Sequence, residues 1–208
     1  MRVLGILCSL SLVVAAFLAA SGVRAQSLAF DPGRVLAEVS GGEVRPYWTQ
    51  DFGRAKKSGG YSALVPEGSA KTLLLKLRAR LPQGYVAFVG TTRNLDDPAI
   101  RGVELVLARG HDQFDIVRLA ATDGVNYGLT SEDIVLRLEK WDAAFGIDIW
   151  QAETDTVQMD LKSQPKDMRA FSRELYKFCP DIVDQGVGDL KSLQEEIREQ
   201  EAITLWWD

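Results

Sequence analysis

The sequence contains very little cysteine and histidine, and this scarcity excludes several kinds of site. It has two cysteines, Cys8 and Cys179, and one histidine, His111. Zinc sites need several Cys or His ligands at short spacings, and no such cluster is present. No segment matches a calcium-binding loop either. We therefore predict no metal site and no cofactor.

The chain also lacks an excess of basic residues. It carries 24 Lys and Arg against 29 Asp and Glu, which gives a formal net charge of −5. Proteins that bind nucleic acid need a basic surface, so we predict no nucleic-acid partner. An acidic balance of this size is typical of a soluble protein.

Only one long apolar run is present, and it lies at the N-terminus. Arg2 precedes the run from Val3 to Ala20, and Val23-Arg24-Ala25 follows it. A basic start, an apolar stretch and a small-residue cleavage site indicate a secretory signal peptide over residues 1–25. A membrane anchor is the alternative, because the run is close to spanning length. We expect an exported protein, periplasmic or secreted, without stable membrane insertion after cleavage.

Cleavage after Ala25 would remove Cys8, Arg2 and Arg24, which lowers the formal charge from −5 to −7. Cys179 then remains as a single thiol, so no internal disulfide can form. An unpaired thiol in an oxidising compartment must be buried, bonded to another chain or functional.

The rest of the chain predicts a lead-in followed by one domain. Residues 26–68 are interrupted by Gly and Pro residues, which favour turns. We expect a loop-rich segment there, with a short helix near Arg34 to Val39. A single α/β domain is expected over residues 69–208. It begins with a helix from Ser69, and three strands follow at Tyr85–Val89, Val103–Ala108 and Phe114–Ala121, the last two as a hairpin.

The later segments have clearer boundaries. Thr130 and Asp133 resemble a capping box before an apolar helical stripe that stops at Gly146. Two alternating strands follow, then two helices and a terminal strand with Trp206 and Trp207. The order predicts an α+β sandwich: a mixed, largely antiparallel sheet with about three helices mainly on one face.

The second half resembles a family known as domain of unknown function 4253. The resemblance covers residues 85–208 and depends on these segments: Phe114-Asp115-Ile116-Val117-Arg118, Thr122-Asp123-Gly124-Val125-Asn126-Tyr127, Trp141 to Ile149, Asp155-Thr156, Tyr176 to Gly186, and Leu205-Trp206-Trp207-Asp208. The family implies a bacterial protein, but it implies no reaction, cofactor or catalytic residue.

Cys179 is the candidate nucleophile, and His111 is the only histidine that could activate it. A reactive thiol needs a lowered pKa, usually from a helix N-terminus, a cation or a histidine. Cys179 instead closes a helix and precedes Asp181, and both features oppose the thiolate. The alternative is a buried cysteine that packs as a small apolar residue.

Aspartates at the ends of predicted elements form the second group of candidates. A converging pair could serve as general acid and base or bind a hard cation, whereas caps and turns are the structural alternative. A loop before a helix adds two possible ligand contacts, and the terminal tryptophans could anchor a partner. The candidate binding residues are Asp115, Asp123, Asn126, Tyr127, Asp155, Cys179, Asp181, Asp184, Gln185, Trp206 and Trp207.

Three functions remain open from the sequence. The first is an exported, non-catalytic binding domain that captures or neutralises a protein partner, such as an exported effector. The second is a hydrolase-like enzyme that uses Cys179 or a pair drawn from Asp123, Asp155, Asp181 and Asp184. The third is a structural role in the cell envelope without a saturable ligand.

Overall fold

The computed structural model describes residues 30–49, 57–90 and 101–208. The strands are β1 (Val44–Thr49), β2 (Lys57–Val65), β3 (Tyr85–Gly90), β4 (Val103–Arg109), β5 (Ile147–Ala152), β6 (Thr156–Leu161) and β7 (Ala202–Trp206). The α-helices are α1 (Pro32–Ser40), α2 (Glu67–Arg78), α3 (Asp115–Ala120), α4 (Ser131–Phe145), α5 (Met168–Phe178) and α6 (Leu190–Gln200). A 3₁₀ turn spans Val125–Tyr127, and a π-helical turn spans Ile182–Val187. The predicted signal peptide lies outside the described residues.

All seven described strands join one sheet in the order β1-β2-β4-β3-β5-β6-β7. Every neighbouring pair is antiparallel except β3 and β5, which run parallel and meet at Val89 and Gln151. The prediction of a mixed, largely antiparallel sheet is therefore confirmed, and so is the α+β class.

The helices cover both faces of the sheet. Successive residues of a strand point to opposite faces, so Phe88 joins one apolar core while Val89 joins the other. The first core also contains apolar residues of α3, α4, α5 and α6, whereas the second is built with α1 and α2. The described residues form six α-helices instead of about three, with four on one face and two on the other.

The strand predicted at Phe114–Ala121 is wrong, because these residues form α3. The branched and aromatic side chains resemble a strand, but the buried ones, Ile116, Val117 and Ala120, follow helical spacing. The carboxylate of Asp115 accepts the backbone N–H of His111 at 2.7 Å, which fixes the turn into the helix. The predicted hairpin is therefore absent, and β4 pairs with β2 and β3.

Residues 26–68 contain more regular structure than predicted where the chain is described. The short helix near Arg34 to Val39 is confirmed as part of α1, and β1 and β2 add two strands to the sheet. Pro46 is tolerated because β1 is an edge strand. Gly60 has a φ of +88°, and a Cβ there would lie 2.4 Å from the Leu107 carbonyl oxygen. Pro46 and Gly60 therefore do not mark loops. Pro46 lies in an edge strand, and Gly60 allows the backbones of β2 and β4 to approach closely.

The later elements agree with the sequence. Thr130 and Asp133 form a complete capping box at α4, and Gly146 follows this helix. Asp167 and Asp189 cap α5 and α6 by accepting backbone N–H groups. In the described ranges, no helix has the length and apolar character needed to cross a bilayer.

Candidate functional site

The side chain of Asp181 collects three hydrogen bonds just after α5. Its Oδ1 accepts the Tyr127 hydroxyl at 2.6 Å and the Gln185 amide at 3.0 Å, and its Oδ2 accepts the backbone N–H of Asp208 at 2.8 Å. Asp181 is only 3% exposed. Three predicted site residues therefore meet at one buried carboxylate.

Burial and hydrogen bonding have opposing effects on the pKa of Asp181, and both raise the pKa of Tyr127. Burial raises the pKa of Asp181, but the hydrogen bonds from Tyr127, the Asp208 amide and Gln185 together lower it below its ordinary value. The hydrogen bond to the Asp181 carboxylate, together with burial, raises the pKa of Tyr127 to about 12. The stable form is thus an ionised Asp181 carboxylate that accepts a hydrogen bond from the neutral Tyr127 phenol.

Trp207 packs beside this network and holds the end of β7 against α5. Its indole Nε1 donates to the Phe178 carbonyl at 3.1 Å, and its backbone N–H donates to the Asp155 carbonyl at 3.1 Å. The Phe178 and Trp207 rings meet edge to face at 5.6 Å. A Cβ at Gly124 would lie 2.9 Å from the Trp207 ring, so the ring occupies space that only glycine leaves free.

Cys179 is fully buried at the end of α5. Its thiol donates to the Trp206 carbonyl at 2.9 Å, and burial raises the pKa of the thiol to about 12. His111 lies in the turn before α3 and lines a separate cavity with Arg78 and Gln83. Cys179 therefore fits the structural alternative from the sequence analysis, a buried cysteine that packs as a small apolar residue.

Next to the Asp181 network lies a groove of about 460 Å³ between α4 and α5. Its walls are Tyr127, Leu129, Arg137, Glu174, Lys177 and Phe178, so the Val125–Tyr127 turn contributes one wall residue. Tyr127 is 41% exposed although its hydroxyl is bonded to Asp181. The buried carboxylate therefore fixes an exposed aromatic ring at the groove. We call this feature the α4–α5 groove.

The α4–α5 groove combines charged and aromatic walls. Arg137 Nη1 lies 2.5 Å from Glu174 Oε1, which also accepts the Trp141 indole N–H at 3.1 Å. The Arg137 guanidinium stacks over the Phe178 ring at 5.1 Å from its centroid. Lys177 forms no salt bridge within the described part of the chain. As far as the structure describes the chain, the groove thus presents one neutralised cation, one cation without a salt bridge and two rings.

The remaining predicted aspartates do not converge on this site. Asp115 pairs with Arg118 at 3.1 Å on α3. The Asp123 backbone N–H donates to the Thr154 carbonyl. Neither Asp115 nor Asp123 lines the α4–α5 groove.

Other predicted residues take peripheral positions. Asp155 accepts the Thr156 hydroxyl at 2.8 Å, and Asp184 accepts the Tyr176 hydroxyl at 3.0 Å. Asn126 is exposed in the Val125–Tyr127 turn. Trp206 is partly buried, with its ring against Gly186. Of the two tryptophans, Trp207 is the core residue.

Four residues of the groove were not predicted from the sequence as site residues: Leu129, Arg137, Glu174 and Lys177. Arg137 and Glu174 are 37 residues apart, so no local motif joins them. Their spacing on α4 and α5 marks them only as polar positions of amphipathic helices. Among the described residues, no three His, Cys, Asp or Glu side chains form a group that could hold a metal ion.

Comparisons with known proteins identify a family without a described activity. No curated protein and no solved structure matches the chain. A family model described as a domain of unknown function (DUF4253) matches residues 104–208. The matched range contains the Asp181 network, Trp207 and every residue of the α4–α5 groove. This chain belongs to the family of domain of unknown function 4253.

Proposed function

We propose that this protein is an exported, non-catalytic interaction domain that binds a protein partner through the α4–α5 groove. The observation that carries the proposal is the exposed Tyr127 ring, which a buried carboxylate holds at the groove by a hydrogen bond of 2.6 Å. Ordering a surface aromatic before binding lowers the entropy cost of association. Tyrosine is also among the residues that most often dominate binding energies.

The chemistry of the strongest catalytic candidate supports binding over catalysis. A nucleophilic cysteine works as a thiolate, but burial raises the pKa of Cys179 to about 12. Both oxygens of Asp181 already accept hydrogen bonds from the protein. A general base must lie within hydrogen-bond reach of its substrate, whereas Asp181 is only 3% exposed. Neither residue is therefore prepared for the hydrolase-like alternative.

The surface beside the groove also favours a partner. Val125 is 64% exposed in the same turn as Tyr127, so two large apolar side chains face solvent together. Clustered apolar residues with a polar rim are a common mark of interaction sites. Here the rim consists of Arg137, Glu174 and Lys177.

Site-specific cross-linking in the native host tests this proposal. The photoreactive amino acid p-benzoylphenylalanine would replace Val125 in one variant and Leu75 in a matched control. Leu75 is 56% exposed, but it lies on α2 at the opposite face of the sheet. We expect a discrete protein adduct from the Val125 variant alone. Equal labelling of both variants, or no adduct from either, would reject the α4–α5 groove as the binding surface.

Export is a separate part of the proposal and has its own test. The apolar run before Ala25 supports it, and the expected mature chain begins at Gln26. Cell fractionation followed by N-terminal sequencing should find this start in the periplasm or the medium. Recovery of the chain with its leader intact in the cytoplasm would contradict export without affecting the groove.

A further inference from the structure

Three basic residues form a row along the exposed face of α5. Arg169, Arg173 and Lys177 are four residues apart and are all exposed, while the opposite face buries Leu175 and Phe178. At a rise of about 1.5 Å per residue, neighbouring cations of this row are separated by about 6 Å along the helix axis. We call these three residues the α5 basic row.

The α5 basic row lacks acidic partners among the residues that the structure describes. None of its three members forms a salt bridge in the described ranges, whereas Arg118 pairs with Glu132 and Arg137 pairs with Glu174. The chain as a whole carries a formal charge of −5. Within the described ranges, the row is therefore a local concentration of unpaired positive charge on an acidic protein, and it is complementary to an acidic ligand.

We propose that the α5 basic row and the α4–α5 groove together bind an extended acidic segment of a partner protein. This inference rests on the proposed function and names the chemistry of the partner. Lys177 belongs to both features, so the row leads directly into the groove. A segment that follows the row therefore reaches Tyr127 and Phe178 at its end.

The spacing of an extended chain fits this path. Side chains on one face of a strand repeat about every 6.6 Å, close to the 6 Å step of the basic row. Acidic residues at alternate positions would therefore each meet one cation. An apolar or aromatic residue that follows would enter the groove between Tyr127 and Phe178. The groove volume of about 460 Å³ accommodates one such side chain.

Long-range charge favours a short polypeptide segment over a nucleic acid or a membrane. An extended polyanion would feel the repulsion of the whole acidic chain, which carries −5. A short segment interacts mainly within the screening length of about 8 Å at physiological salt, where the basic row dominates. The aromatic walls of the groove also suit a side chain better than a phosphate.

Calorimetric titration with a defined peptide tests this proposal. The probe is acetyl-Thr-Glu-Thr-Glu-Thr-Glu-Phe-amide, and its control carries Gln in place of each Glu. The row variant combines Arg169→Gln, Arg173→Gln and Lys177→Gln. The control variant combines Lys76→Gln, Lys191→Gln and Arg198→Gln, so it loses the same charge from exposed positions on α2 and α6.

The Glu peptide should bind the wild type and the control variant alike, and it should bind less tightly as salt increases. Each exposed charge pair contributes about 1.4- to 5-fold to affinity, so the row variant should bind the probe about tenfold more weakly. The wild type should also bind the Gln peptide about tenfold more weakly than the Glu peptide, because the same charge pairs are lost. A difference below threefold between the two variants would overturn the proposal.

Two further outcomes separate this inference from the proposed function. A partner that cross-links at Val125 and still binds the row variant fully would leave the groove function standing and overturn the acidic segment. Binding of phosphatidylserine vesicles through the row, without binding of the peptide, would overturn it in favour of a lipid surface.

Discussion

Replacing Asp181 by alanine should destabilise the protein far more than the same change at the exposed Asp184. The Asp181 substitution removes a buried carboxylate that accepts hydrogen bonds from Tyr127, Gln185 and the Asp208 amide. Hydrogen bonds to charged groups contribute about 1.5 to 3 kcal/mol each. The Tyr127 and Gln185 side chains are exposed and can bond to water instead. We therefore expect a loss of about 3 kcal/mol in the free energy of unfolding, well below the sum of three bonds.

Asp184→Ala provides a matched control for this prediction. Asp184 accepts the Tyr176 hydroxyl at 3.0 Å, so it also forms an aspartate–tyrosine hydrogen bond, but its side chain is exposed. Exposed substitutions of this kind usually change stability by about 0.5 kcal/mol or less. Urea unfolding followed by tryptophan fluorescence would measure both variants, and an unchanged denaturant slope would show that only stability has changed.

The pH dependence of folding stability provides a second test of the Asp181 carboxylate. The pKa of Asp181 is lower in the folded protein than in the unfolded chain, so its ionised form stabilises the fold above the unfolded value of about 3.9. This contribution is lost as the pH falls through the lower, folded pKa. Asp181→Asn should therefore flatten the acid limb of the stability curve. Equal losses from Asp181→Ala and Asp184→Ala, or an unchanged acid limb, would refute the reasoning.

Three further predictions test the surroundings of the site. Because burial raises the pKa of Cys179 to about 12, iodoacetamide at pH 8 should label it only after unfolding; rapid labelling of the folded protein would contradict this burial. Gly124→Ala should lower the free energy of unfolding by about 1 to 3 kcal/mol, because the added methyl group clashes with Trp207. Gly68→Ala adds the same group in open space and should not destabilise the protein, so equal urea unfolding curves for the two variants would contradict the clash. Spectroscopic titration should find the pKa of Tyr127 near 12 and closer to its ordinary value in Asp181→Asn, and an unchanged value would argue against their hydrogen bond.

Elements with strong local signals could be predicted from the sequence. Thr130 and Asp133 define the start of α4, because both side chains bond to nearby backbone groups. The apolar stripe of α5 and the cap at Asp189 are equally local. Each of these features depends on residues within one or two helical turns, so the chain itself contains the information.

Elements that depend on distant partners could not be predicted in the same way. Ile116 and Val117 favour a strand by propensity, but tertiary packing buries them on a helix. Gly60 interrupts the pattern of β2, and only the close approach of Leu107 explains why glycine is required there. The Asp181 network joins residues 54 positions apart, and no spacing in the sequence indicates that Tyr127 meets this carboxylate.

The α5 basic row lies between these two cases. The apolar stripe of α5 determines which face is buried, so the four-residue spacing of Arg169, Arg173 and Lys177 already implies a common exposed face. What the sequence does not provide is the second wall, because the α4–α5 groove depends on the contact between Arg137 and Glu174. A helix with a free basic face can attract many acidic chains, whereas a groove at its end selects among them by shape. Selectivity for one partner therefore depends on the tertiary contact, while the attraction depends on residues that are local in sequence.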